Sequence, residues 1–477
     1  MVGLSVMRIT SIPMIFLLTS QASRIPSPVP YVHPVVLCAV LAAGALILFL
    51  PRKHIIVPLL GAALLIPFDQ VILVGPFHWT MLRVIILLGW LRVLARTLAP
   101  RQPLLSGGLN AMDKALMLWA AVAAFNIVLL WQSSAAFINQ LGALYNVFGI
   151  YFLLRILIRD NQDAGLATRT LTWLAVGVAA MMLLELASGE RMYAALGGSR
   201  PHGGETLWER LGALRAVAGF GNPVSAGVFG ATLMPLSLAL WWKGNRRTAA
   251  AGLCAASVIV AASVSSTPVL AYLAAMLGLL LWPLRRHLRL LRWSAAISLI
   301  GLQLLMNAPV WALIQRAGVV GGSSGYHRYI LVDRFFQHFW DWWLLGARHA
   351  GEWGYLSNDI ANQYVGIGES AGLLPLLLFI AAIVYAFKYL GRARQAAQNN
   401  HDRRFLWAVG CALFAHVVAF FGLSYFDQLI VSWYALLAII SAVAVPLAHG
   451  QEQPSRQELH PAETTWIEGF APCRSNE

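Results

Sequence analysis

Charge is what this chain has least of: Asp, Glu, Lys and Arg together make 11% of its 477 residues, against roughly a quarter in soluble globular chains. That scarcity excludes an ordinary water-soluble domain, which needs a charged skin to stay in solution. Acidic residues are the scarcer sign, 20 against 34 Lys and Arg, for a net charge of +14. The basic residues are dispersed between apolar runs, so the excess does not form the continuous soluble basic face that nucleic acid requires. Four cysteines, at Cys38, Cys254, Cys411 and Cys473, form no C-x-x-C pair; a zinc ribbon and a disulfide scaffold are excluded. There is no Walker lysine motif, no internal repeat and no soluble catalytic domain.

What is abundant is apolar sequence, 59% of the chain with a mean hydropathy of +0.67. Apolar stretches near 32–50, 55–75, 79–97, 114–131, 135–154, 167–187, 218–242, 248–264, 267–283, 293–310, 373–390, 405–423 and 429–446 have the length of membrane spans. The stretch at 55–75 is weakened by Pro58 and Pro67. These runs are too long and too evenly apolar for barrel strands. The expected fold is therefore all-α: a polytopic transmembrane bundle of about 12–13 spans over residues 31–446.

Short loops rich in Lys and Arg stay on the cytoplasmic side. Arg52 and Lys53, Arg92 with Arg96 and Arg101, Arg155 with Arg159, Lys243 with Arg246 and Arg247, the run from Arg285, and Lys388 through Arg404 fall in alternate loops. That pattern leaves two long segments, 188–217 and 311–372, on the outer side. Residues 1–30 are ambiguous, since the apolar stretch 9–19 fits a signal-like segment, an interfacial segment or part of a first helix. The polar, Pro-containing tail 447–477 reads as a disordered cytoplasmic extension.

Polar residues concentrate in the two outer segments and at the helix mouths beside them. In the second segment Tyr329, Phe336, Phe339 and Trp340 recur near helical spacing, with His327, Arg334 and His338 on another face. That describes an amphipathic helix at the membrane surface, with Trp340, Trp342, Trp343 and Trp353 at headgroup depth. At the end of the first segment, "RAVAGFGNPVSAGVFG" sets Arg215 just outside a span whose start is loosened by Gly219, Gly221 and Pro223. A guanidinium and loosened backbone N–H groups together can receive an anion. Arg215 could equally be a snorkelling end residue, and Gly227 and Gly230 read better as close-packing positions between helices.

These residues resemble a known family. "RAVAGFGNPVSAGVFGATLMPLSLAL" is similar to the R-x-x-G-x-F-x-N-P helix start of the O-antigen ligase and O-antigen polymerase superfamily. "YHRY...DRFFQHFWDWWLLG" followed by "NDIANQYVGIGESAGLLPLLLF" resembles that superfamily's large periplasmic loop and the helix after it. The resemblance covers roughly 115–440 and implies metal-independent glycosyl transfer at the outer face of a bacterial inner membrane. The donor would be an undecaprenyl-diphosphate-linked glycan, the acceptor a sugar hydroxyl of a lipid core or a growing chain, and no cofactor is implied. Acceptor identity, and so ligase against polymerase, is written in no motif.

Displacing a diphosphate from an anomeric carbon needs charge stabilisation on the leaving group and a base for the attacking hydroxyl. The outer segments hold no D-x-D pair to cage a divalent cation, so arginines would carry the charge. Arg215 and Arg328 match the family's arginine positions. The family's loop motif H-N-x-Y-L is met here by "ANQYV", so Ala361 stands where the histidine should be, and a different base is expected. His327 and Asp359 are the candidates, each with a plain alternative role, as a solvated helix residue and as a helix cap. His349 and His202 are less constrained. Asn222 and Asn362 would cap helix ends or hydrogen-bond sugar, Gln363 and His349 would contact substrate, and Glu369 would cap or pair locally. A flippase of lipid-linked glycans is the competing class, and a non-catalytic membrane scaffold is a further one. A transporter should show paired repeats and midplane ionisable residues; neither is evident in the sequence.

Overall fold

The computed structural model describes residues 32–67, 70–75, 77–97, 105–196, 207–317, 324–354, 360–426 and 428–450. Sixteen helices dominate them: α1 (Pro34–Phe49), α2 (Ile56–Leu65), α3 (Met81–Thr97), α4 (Ala111–Trp131), α5 (Ser134–Leu157), α6 (Asn161–Ser188), α7 (Pro223–Trp242), α8 (Arg246–Ala262), α9 (Ser266–Leu280), α10 (Leu288–Leu305), α11 (Ser324–Gln337), α12 (Phe339–Trp342), α13 (Gln363–Ala371), α14 (Leu373–Ala396), α15 (Asn400–Ala419) and α16 (Leu429–Ala448). Two antiparallel hairpins interrupt them, β1 (Val71–Val74) with β2 (Phe77–Thr80), and β3 (Trp208–Arg210) with β4 (Ala213–Arg215).

Seven helices among the described residues are long and apolar enough to cross a membrane: α4, α5, α6, α7, α10, α14 and α16. The apolar helices α1 and α9 are shorter. The stretch 55–75 does not continue as one span. Its helix stops at Leu65, two residues before Pro67, and the chain turns into the β1–β2 hairpin, because proline removes an N–H and disfavours helix in the residue before it.

α7 and α16 form the centre of the bundle, whereas α10 buries none of its residues against the rest of the protein. Close packing around α7 depends on the small residues noted in the sequence. A Cβ on Gly230 would lie 2.8 Å from Ile259 Cγ2 of α8, and one on Gly227 would lie 2.5 Å from the Pro268 ring of α9. Small side chains that let helix backbones approach are the usual route to packing where lipid supplies no hydrophobic drive.

Arg155 is not the loop cation that charge counting makes it. It is fully buried in the last turn of α5, with Nε 3.6 Å from Asp113 Oδ1, and it donates to Ser106 O at 2.9 Å and Gly108 O at 3.3 Å. Asp113 also closes a capping box with Asn110 at the start of α4, accepts from Tyr151, and is tied through Asn110 to Ser441 of α16 at 3.1 Å. A buried charge must be paired and hydrogen-bonded, and here one cluster fastens α4, α5 and α16 at one end of the bundle.

The amphipathic segment differs from a helix lying freely on a surface. Leu331, Val332 and Phe335 of α11 are buried, and Phe335 stacks on the buried Trp342 with centroids 3.9 Å apart. Trp342 is therefore a core residue. Trp353 packs against the core and stacks on His338 at 4.9 Å. Trp340 and Trp343 keep the expected exposure, together with Phe336 and Leu344.

Candidate functional site

At the end of the bundle opposite the Arg155 cluster, the start of α7, the α8–α9 turn, α11, the approach to α13 and the α15–α16 connection enclose a cavity of about 320 Å³. Three arginines line it, Arg210, Arg215 and Arg328, with His327, Asn222, Ala361 and the hydroxyl residues Ser265, Ser266 and Ser424. Val224, Ile360, Leu423 and Phe426 supply an apolar part of the wall, and no carboxylate lines it among the described residues.

Arg215 ends strand β4. Its Nε donates to Ser263 O at 3.1 Å and a terminal nitrogen donates to Ser265 Oγ at 2.6 Å. These bonds hold the guanidinium across the α8–α9 turn, which Val264 makes in left-handed backbone at φ 43°. Arg328 comes from the first half of α11 and donates to Thr267 Oγ1 at 2.6 Å; the Thr267 hydroxyl in turn donates to Gly422 O at 3.1 Å. Burial, then the nearby charge of Arg210, pushes the Arg215 pKa down to about 10, which leaves it a cation at neutral pH. Burial and Arg210, in that order, also lower Arg328. Packing like charges in one cavity is unfavourable on its own, and an anion seated among them relieves the repulsion.

The loop that delivers Arg215 hangs on Glu185, a fully buried residue in the last turn of α6. Its Oε2 accepts from Val217 N at 2.7 Å and Ala218 N at 2.8 Å, and its Oε1 accepts from Met192 N at 3.2 Å. Ala218 lies in left-handed backbone at φ 51°, at the position where the R-x-x-G-x-F-x-N-P pattern has a glycine. Such a conformation strains any residue with a Cβ, and the carboxylate bond to its N–H holds it there. Next to it, Gly219 faces the Tyr193 ring, which a Cβ would approach to 3.0 Å. Glu185→Ala is expected to destabilise the protein by about 3 kcal/mol, because it strands buried N–H groups that a charged acceptor satisfied. Glu185→Gln, which keeps one acceptor oxygen, should recover part of that. The thermal unfolding midpoints of the three proteins measure it, and an unchanged midpoint for Glu185→Ala would contradict the assignment.

The expected residues are distributed unevenly. Arg215, Arg328, His327 and Asn222 come together on the cavity. Asn222 also caps α7, accepting from Ser225 N at 2.7 Å. Ala361 lines the same cavity, so the position given to a histidine in the family motif faces the arginines. Asn362 and Gln363 do not line it. Asn362 is buried and caps α13, accepting from Tyr364 N at 2.9 Å and Val365 N at 3.2 Å. Gln363 is buried too, and its Oε1 accepts from Tyr425 N at 2.6 Å. Both amides are occupied with backbone, and they shape the α15–α16 connection that forms the cavity wall. Asn362 thus takes the capping role, one of its two expected alternatives, and both side chains support the cavity wall without lining it. His349 is also absent from the cavity; it is exposed beside Glu352 at 3.5 Å. Glu369 is buried. Asp359 and His202 lie outside the described residues.

Sequence reading missed Arg210 and Glu185. The β3–β4 turn is made by Leu211 and Gly212, both at positive φ, 55° and 77°. Two-residue turns of that kind are signalled by Asn-Gly or Asp-Gly, and a leucine in the first position hides the hairpin. No protein-family model matches the chain, and no curated protein sequence does either. Among the described residues, no group of three His, Cys, Asp or Glu side chains is arranged to hold a metal ion.

Proposed function

We propose that the chain is a bacterial inner-membrane glycosyltransferase of 12–13 spans whose arginine cavity faces the periplasm and binds the diphosphate of an undecaprenyl-diphosphate-linked glycan. The acceptor oxygen forms a bond to the anomeric carbon as the bond from that carbon to the diphosphate breaks. The acceptor proton passes to a base in the cavity, for which His327 is the described candidate, and the diphosphate leaves with its charge held by Arg215 and Arg328. Both residues present guanidinium groups able to grip phosphate in a bidentate fork. The observation that carries this reading is the convergence of the arginines on one cavity beside an imidazole, with no lining carboxylate among the described residues. The resemblance of the segments bearing Arg215 and Arg328 to the O-antigen ligase and polymerase superfamily supports it. The acceptor, a lipid core or a growing polysaccharide, decides between ligase and polymerase.

The reading makes transfer independent of divalent cations, since guanidinium groups do the work a metal does in D-x-D transferases. Purified protein supplied with a radiolabelled lipid-linked donor and acceptor should transfer label at an undiminished rate in EDTA. Loss of transfer in EDTA, restored by magnesium or manganese, would overturn the arginine-based mechanism.

A further inference from the structure

We propose that Arg210 completes a three-guanidinium cradle that makes the cavity select a diphosphate over a monophosphate headgroup. This rests on reading the cavity as the seat of a lipid-linked donor. The carrying observation is the register of the β3–β4 hairpin, which pairs Trp208 with Arg215, Glu209 with Leu214 and Arg210 with Ala213. Side chains alternate across a strand and directly paired residues share a face. Arg210 and Arg215 therefore project from one face, toward the cavity that both line, while Glu209 projects from the other. The two-residue turn at Leu211 and Gly212 keeps the strands in that register. A hairpin slipped by one residue would send Glu209 where Arg210 now points.

Arg210 is close enough to lower the pKa of Arg215 and of Arg328 by its charge, so it addresses both arginines rather than one. Those two are already partly engaged: Arg215 spends two donor positions on Ser263 and Ser265, and Arg328 spends one on Thr267. One phosphate can be gripped by what remains. A second phosphate brings its own charge and oxygens, and Arg210, lining the same cavity from the same hairpin face as Arg215, is the further cation placed to meet it.

The test uses the full chain purified in detergent, with farnesyl diphosphate and farnesyl monophosphate as probes, binding being measured by titration calorimetry at one salt concentration. Wild type should prefer the diphosphate by about tenfold or more, the worth of one charge-assisted contact. Arg210→Ala should lower that preference to less than about threefold, mainly by weakening the diphosphate. Arg210→Gln should behave alike and serves if the alanine variant has a lowered unfolding midpoint. Glu209→Ala, on the opposite hairpin face, should keep the wild-type preference. A wild type that binds both probes equally, or Arg210 variants that keep the full preference, would overturn the proposal while leaving the donor site standing. Failure of the wild type to bind either probe would overturn the donor-site reading and this proposal with it.

Discussion

Replacing Arg215 or Arg328 with alanine is expected to lower glycan transfer by about 10²-fold or more, the size of effect seen when a preorganised charge partner of a transition state is removed. The variants should remain in the membrane. Each guanidinium lines the cavity, held by Ser263 and Ser265 or by Thr267. Lysine is not an adequate substitute. At 215 the side chain must bond the α8–α9 turn and still present a planar donor pair to phosphate, and a single ammonium cannot do both. Arg215→Lys and Arg328→Lys should therefore stay close to the alanine variants in rate. Wild-type turnover in either lysine variant, read as label transferred per minute or as polymer length, would remove the bidentate role.

The second large effect concerns the base. Ala361 cannot accept a proton, yet it lines the cavity at the position where the related motif has histidine. The imidazole of His327 lines the same cavity from the residue next to Arg328, and histidine is the side chain most often used as a general base. At least one of His327→Ala and Asp359→Asn is expected to slow transfer by about 10²-fold. If His327 is the one, Ala361→His in the His327→Ala background should recover much of the lost rate, since it puts an imidazole back on the same cavity. Wild-type rates in both single variants and in their double variant would show that no base is supplied by these side chains, leaving the arginines to account for catalysis alone.

Much of the helical layout was legible because lipid-spanning helices announce themselves by length and apolarity. α4 to α10 and α14 to α16 lie within a few residues of the apolar runs. The exception at 55–75 follows from proline, which a hydropathy average dilutes. The site was legible only in part. Arg215, Arg328, His327 and Asn222 could be named from motifs at loop–helix junctions, where a charged or capping side chain has an evident task. Arg210 could not, because its role depends on a hairpin whose turn carries Leu211 in place of the usual signal. Glu185 was also out of reach: an isolated carboxylate at a span end gives no hint that it accepts two backbone N–H groups from a distant loop and one from the segment after its own helix. Asn362 and Gln363 show the reverse. Their polarity suggested ligand contact, whereas burial beside the α15–α16 connection commits them to backbone.

The account is tested most directly by the fate of the lipid carrier. Purified protein, lipid-linked glycan donor and acceptor are incubated with chelator, and the lipid products are separated and counted. If the cavity holds the departing diphosphate, one undecaprenyl diphosphate appears for every glycan transferred, and both products vanish together in Arg215→Ala. Donor recovered intact, or undecaprenyl monophosphate formed as the initial lipid product, would contradict the central claim.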